Sequence, residues 1–253
     1  MDVGINMIAV VTGGASGMGE AVARALAAQK MKVMVLDRNI EAAERVASSI
    51  NGVAFACDVS SEADVERTFN DIQAMDGQLR VAVNCAGIAP AKRAVGRNGP
   101  MALSDFTNVI QINLIGTFNV TRMAAALMMK SETINSERGV IINTASIAAY
   151  EGQIGQSAYS ASKGGIVSMT LPLAREFASQ AIRVNTIAPG LIGTPLLLNM
   201  PQELQDSLAA TVPFPKRFGS VNEFSSLVSH IIENSMINGE VIRLDGALRM
   251  REK

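Results

Sequence analysis

The chain has 253 residues, 48% of them hydrophobic and 18% charged, with a formal net charge of −1. That balance argues against a disordered chain, provides for a core that needs no staples, and gives nucleic acid no electrostatic handle. Its two cysteines, Cys57 and Cys85, form neither a disulfide framework nor a metal set, so reduced core thiols and no metal site are expected.

The N-terminal stretch MDVGINMIAVVTGG has no basic segment ahead of an apolar one, and no later run reaches the roughly 18 apolar residues of a membrane span. A cytoplasmic protein without a membrane segment is expected. Short apolar runs then alternate with helical patterns. MIAVVTG (7–13) reads as a strand and MGEAVARALAAQ (18–29) as a helix. KVMVLDR (32–38) is a strand and EAAERVASSI (41–50) a helix. VAFACDV (53–59) is a strand, followed by a helix over 62–75 with Ser60 or Ser61 as its N-cap. VAVNCAG (81–87) is the next strand, and one long helix covers 103–129. GVIINTAS (139–146) is a strand, 157–178 a helix, IRVNTIAPG (182–190) a strand and GEVIRLDG (239–246) the last strand.

These strands are nearly continuous in Val, Ile, Ala and Leu, the mark of parallel strands covered on both faces. Strand–helix alternation without repeats or linkers predicts one domain over 1–253. The expected fold is α/β, a doubly wound (Rossmann) parallel sheet of about seven strands with helices on both faces. Two connections are too long for simple turns: 88–102 and 191–220. Both follow strand C-terminal ends, where open α/β sheets bind ligands, so both are expected to serve substrate.

TGGASGMG (12–19) lies between the first strand and the first helix, with Gly13, Gly17 and Gly19. Glycines at a strand–helix turn let the backbone approach a pyrophosphate, and the helix N-terminus adds free N–H groups and a positive dipole end. Asp37 ends the second strand, where a carboxylate accepts ribose hydroxyls and repels a 2′-phosphate. NAD is therefore expected, although Arg38 beside it has the chemistry to hold a phosphate. Asn39 is an alternative cap for the following helix. Asp58 and Val59 end the third predicted strand and suit an adenine. Asn84, Cys85, Ala86 and Gly87 end the fourth, where small residues let a cofactor lie flat.

Tyr159 and Lys163 are four apart on a predicted helix and so share a face. Ser146 ends a strand at the same sheet edge. A tyrosine is a poor base at its ordinary pKa near 10. A nearby ammonium is expected to lower that value and let Tyr159 exchange a proton with a substrate oxygen held by Ser146.

With these motifs in order, the chain resembles the short-chain dehydrogenase/reductase family over essentially its whole length. The resemblance rests on TGGASGMG, Asp37, Asp58–Val59, NCAG, Asn113, Ser146, Tyr159-Ser-Ala-Ser-Lys163 and Pro189–Gly190. It implies catalytic roles for Asn113, Ser146, Tyr159 and Lys163, with Tyr159 and Lys163 also contacting the cofactor and Thr194, Pro189 and Gly190 beside it. It places the Asn at a local break in the fourth helix, where it holds a water joining Lys to a proton relay. Within the family, the chain is most similar to a subgroup of 3-hydroxyacyl-CoA dehydrogenases also named as 17β-hydroxysteroid dehydrogenases. By that likeness Ser16, Met18, Cys85 and Ile192 also line the NAD site, and Gln153 and Gln156 face substrate.

The implied activity is NAD-dependent interconversion of 3-hydroxyacyl-CoA and 3-ketoacyl-CoA by a homotetramer. Oxidation of steroids or other secondary alcohols is the alternative, and a dinucleotide-binding scaffold the second. Lys92, Arg93 and Arg97 form a basic loop suited to CoA phosphates. Leu191, Ile192, Leu196, Leu197, Leu198, Met200 and Phe214 in the other long connection suit an acyl chain. The single histidine, His230, reads as a surface or helix-end residue.

Overall fold

The computed structural model describes residues 1 and 4–252; the side chain of Leu196 also lies outside the described residues. Seven parallel strands form one sheet in the order β3-β2-β1-β4-β7-β8-β9. They are β1 (Met7–Thr12), β2 (Lys32–Asp37), β3 (Val53–Ala56), β4 (Gln78–Asn84), β7 (Gly139–Thr144), β8 (Ile182–Pro189) and β9 (Val241–Leu244). A small hairpin, β5 (Val95–Gly96) with β6 (Gly99–Pro100), stands apart in the 88–102 connection.

Successive side chains on a strand face opposite ways, so each strand feeds two cores. Ile8 and Val10 of β1 face one side, where α3 (Glu62–Gln73), α5 (Gly116–Met128) and α6 (Ser157–Phe177) pack. Ala9 and Val11 face the other, covered by α1 (Gly17–Ala28), α2 (Ile40–Ser49) and α9 (Val221–Glu233). Each fully buried Val, Leu, Ile or Phe side chain on either face contributes about 1.5–3 kcal/mol. The doubly wound fold read from sequence is the one observed.

The elements differ from the sequence reading in several places, among them β4, which runs over Gln78–Asn84 rather than 81–87. The third strand stops at Ala56, because its ladder to β2 ends at the Asp37–Ala56 pair; Asp58 and Val59 lie just beyond it. The long helix over 103–129 is three segments: α4 (Leu103–Ile110), a π turn at Gln111–Ile115 and α5. The connection 191–220 contains α7 (Pro195–Leu198) and α8 (Gln202–Ala210). Finally, α9 completes the layer that covers β1 and β8, with His230 exposed near its C-terminal end. Ser61, not Ser60, caps α3, accepting the N–H of Asp64. Arg183 of β8 closes the C-terminal end of α9, donating to the carbonyls of Ile231, Ile232, Asn234 and Ile237.

Candidate active site

The strand order reverses direction between β1 and β4, which opens a crevice at their C-terminal ends. Thr12 fastens the two ends together: its hydroxyl accepts the N–H groups of Cys85 and Ala86, each at 3.2 Å. Gly13 sits at φ +61, and a Cβ there would lie 2.8 Å from the Ala86 nitrogen. Gly17 also has positive φ, and a Cβ on Gly19 would lie 2.1 Å from the Gly13 carbonyl. Gly13 and Gly19 leave no room for a Cβ, and the left-handed backbone at Gly17 favours glycine.

Ser16 stands at the N-cap of α1, yet its side chain makes no cap hydrogen bond. The N–H groups of the first turn thus keep their positive end for a ligand. Asp37 projects from the tip of β2, accepting the N–H of Ala15 at 3.3 Å and of Asn39 at 3.0 Å. Asn39 caps α2 by accepting the Ala42 N–H at 3.1 Å, so Asp37 is not needed as a cap.

These groups enclose a cleft of about 340 Å³. It is lined by Gly13, Ser16, Gly17, Met18, Gly19, Asp37, Asp58, Val59, Cys85, Ala86, Gly87 and Thr194 from the sequence-based set. Arg38, Cys57, Ile88, Ile112 and Pro195 also line it. Of these, only Arg38 carried a sequence signal; the others arrive through neighbouring turns. A narrow glycine cradle, a free helix N-terminus and a carboxylate at the second strand tip fit a dinucleotide. Pro189, Gly190 and Ile192 are not among the residues that line this cleft. Pro189 is buried at the end of β8, a Cβ on Gly190 would press on Asp245, and Ile192 is packed beneath the 191–220 connection. Ile192 lines a separate cavity of about 250 Å³.

Asn113 is fully buried in the π turn. Its amide clamps the backbone of Ile88, accepting the N–H at 2.8 Å and donating to the carbonyl at 2.9 Å. It also donates to the Ser162 hydroxyl at 3.0 Å. Lys163, one turn past Tyr159 on α6, is buried and donates from Nζ to the Thr144 carbonyl at 2.7 Å. A Cβ placed on Gly87 would lie 3.1 Å from Asn113 Oδ1 and 3.6 Å from Lys163 Nζ, so both side chains reach the cleft edge. Burial lowers the Lys163 pKa to about 8, with a smaller opposing pull from Cys85. Burial also pushes the Cys85 thiol up to about 11, despite its contact with Thr144 and the nearby Lys163. Cys85 is therefore a wall of the cleft rather than a nucleophile.

Ser146 caps the short 3₁₀ turn Ile147–Ala149, accepting the Ala148 N–H at 3.1 Å. Its hydroxyl acts on the Tyr159 phenol in the direction of the phenolate. Burial outweighs this and leaves the Tyr159 pKa above its ordinary value. The expected lowering by Lys163 is thus corrected. The ammonium stands 5.8 Å from the ring centroid, and desolvation of the phenolate dominates.

Gln153 lines an outer cleft of about 740 Å³ together with Arg93, Val95 and Tyr150. Gln156 stands at the N-cap of α6, and its Oε1 accepts the Gln153 N–H at 2.9 Å. The basic loop is divided: Lys92 pairs with Asp105, whereas Arg93 faces the outer cleft. Among the described residues, no group of three or more His, Cys, Asp or Glu side chains is placed to hold a metal, and no helix is long and apolar enough to cross a membrane.

The chain matches a family model described as short chain dehydrogenase over residues 7–205. The 3-hydroxyacyl-CoA dehydrogenase type-2 of Bos taurus is 52% identical over 250 residues, covering 97% of this chain and 96% of that protein. Its Homo sapiens counterpart is 51% identical with the same coverage. A crystal structure of 3-hydroxyacyl-CoA dehydrogenase type-2 from Mycobacterium avium superposes with a TM-score of 0.94 at 41% identity, covering 98% of each chain. Sequence, fold and cleft lead to one conclusion: this chain is an oxidoreductase belonging to the short-chain dehydrogenase family.

Proposed function

We propose that the protein interconverts 3-hydroxyacyl-CoA and 3-ketoacyl-CoA thioesters with NAD(H). The carrying observation is buried Lys163 with its Nζ 5.8 Å from the centre of the Tyr159 ring and reaching Gly87 at the edge of the glycine-walled cleft. The thioester class is supported by relatives about half identical over nearly the full chain. Asp37 at the cleft supports NAD over NADP, because it would accept ribose hydroxyls and oppose a 2′-phosphate. The glycine cradle and the start of α1 would hold the pyrophosphate. When bound, the nicotinamide supplies or accepts the hydride.

The chain's own residues manage the proton. Ser146 orients the substrate oxygen. In reduction Tyr159 donates its phenolic proton to that oxygen; in oxidation it takes the proton back. Its raised pKa keeps it protonated at neutral pH, the form that reduction needs. The Lys163 ammonium stabilises the phenolate left behind, and Asn113 holds the water that extends the proton path from Lys163. Asn113 also anchors Ile88 at the root of the 88–102 connection. We read that connection and 191–220 as the walls of the substrate site, with Arg93 offering charge to CoA phosphates. Exposed Ile115, Phe118 and Leu171 give an apolar surface consistent with a homotetramer. A monomer mass in sedimentation would refute that assembly.

The test of function follows NADH absorbance. Acetoacetyl-CoA should be reduced, with free acetoacetate much poorer. Equal kcat/KM for the two would refute the CoA handle and favour steroids or other secondary alcohols. Cofactor binding without turnover of any of these would favour a scaffold.

A further inference from the structure

We propose that Arg243 is a positioning residue for substrate, holding the segment between Ser146 and Tyr159 in place through Glu151 and the C-terminal residues. The proposal rests on the reading of Ser146 and Tyr159 as the reacting pair. After the turn at Ile147–Ala149, residues 150–156 form no regular element before α6 begins at Ser157. The Lys92 N–H donates to the Gly155 carbonyl at 2.8 Å, and the remaining long-range ties come from the other end of the chain. Arg243 of β9 makes a two-pronged contact with Glu151, Nη1 to Oε1 at 2.8 Å and Nη2 to Oε2 at 2.9 Å. Its Nε donates to Asp245 at 2.6 Å and its Nη2 to the Leu248 carbonyl at 3.0 Å. Its guanidinium carbon lies 5.1 Å from the centre of the Tyr150 ring. The Ile154 N–H donates to the Glu252 carbonyl at 3.0 Å, and the Gln153 amide to the Arg251 carbonyl at 3.3 Å.

The C-terminal segment therefore grips both the backbone and a side chain of the outer cleft wall. Tyr150 and Gln153 line that cleft. Arg243 and Glu151 are partly exposed, with side-chain exposures of 21% and 24%. The pair is part of a network, because Arg249 also approaches Glu151 at 3.5 Å and Asp245 at 3.2 Å. The planar fork of Arg243 imposes direction, which a single ammonium contact would not. A geometry this specific at the edge of the substrate cleft is explained by positioning.

The decisive variant is Arg243→Met, which keeps side-chain length beside Tyr150 and removes every donor. KM for acetoacetyl-CoA should rise on the order of tenfold with a smaller change in kcat, and the Kd of NADH should stay within about twofold. Glu151→Gln should move KM the same way, and the double variant should be no worse than Arg243→Met. Arg243→Lys should restore only part of the loss. Unchanged kinetics in Arg243→Met, an equal loss of NADH affinity, or additive effects would each overturn the proposal, whatever happens to Tm.

Should Arg243→Met fail to fold, Glu151→Gln carries the same kinetic test. Amide hydrogen exchange in Glu151→Gln gives a readout that needs no substrate. Exchange should quicken at 150–156 and stay unchanged in β1; unchanged exchange at 150–156 overturns the proposal. Quickened exchange in a protein whose parent ignores acetoacetyl-CoA would refute the substrate reading alone.

Discussion

Residues 7–87 supply most of the cofactor cleft from successive strand ends and the turns that follow them, and Ile88, Ile112, Thr194 and Pro195 complete it. The catalytic side, from Asn113 to Glu252, is assembled from a π turn, a 3₁₀ turn, one face of α6 and the C-terminal segment. In the first region the key features lie in backbone turns: Gly13, Gly17 and Gly19 shape one turn, and Thr12 ties it to the end of β4, its neighbour in the sheet. In the second region the key features are side-chain contacts between separate segments. Asn113 meets Ser162 and Ile88, Lys163 meets Thr144, and Arg243 meets Glu151. The contrast teaches that binding is encoded in backbone shape, whereas chemistry depends on how distant segments desolvate and hold a few side chains.

The sharpest way to separate the regions is Tyr159→Phe. The ring stays and the transferable proton goes, so turnover should fall by about 10²–10⁴. NADH affinity, measured by fluorescence titration, should stay within a few fold. Near-normal kcat would end the assignment of Tyr159 as the proton donor.

Gly19→Ala attacks the other region. Its Cβ would collide with the Gly13 carbonyl at 2.1 Å, and backbone cannot swing aside like a side chain. A destabilisation of about 1–3 kcal/mol is expected from such overpacking, seen as a lower denaturation midpoint. NADH affinity should fall with it, because the cradle itself must shift. Parent-like affinity would show that the close approach is not required for binding.

Asp37→Ala should narrow the preference for NADH over NADPH by about tenfold, equivalent to about 1.4 kcal/mol. Arg38 lines the same cleft and would then be free to meet a 2′-phosphate. Comparable kcat/KM for the two cofactors in the parent would overturn the role given to Asp37.

The last effect is one of pH. Burial lowers the Lys163 pKa from its ordinary 10.5 to about 8. Between those values the unfolded chain holds a proton that the folded chain has lost, so stability rises with pH there. Compared with Lys163→Met, the cofactor-free parent should gain stability from about pH 8 to 10.5, at up to about 1.4 kcal/mol per pH unit. Chemical denaturation at several pH values checks this. A flat difference would mean that Lys163 is solvated.

Much of this protein was legible in its sequence. Continuous apolar runs announce parallel strands, glycines between strand and helix announce the cradle, and a spacing of four places Tyr159 above Lys163. These signals are local, because period and turn chemistry act over a few residues. The third strand's end was misread because apolar character continues to Val59 after the ladder has stopped. Tertiary structure alone decided that Lys92 pairs with Asp105 and that the C-terminal residues brace 150–156. It also decided that Tyr159 is a reluctant acid rather than a ready phenolate. A pKa is set by the water removed and the charges brought near, and both depend on segments that meet only when the whole chain has folded.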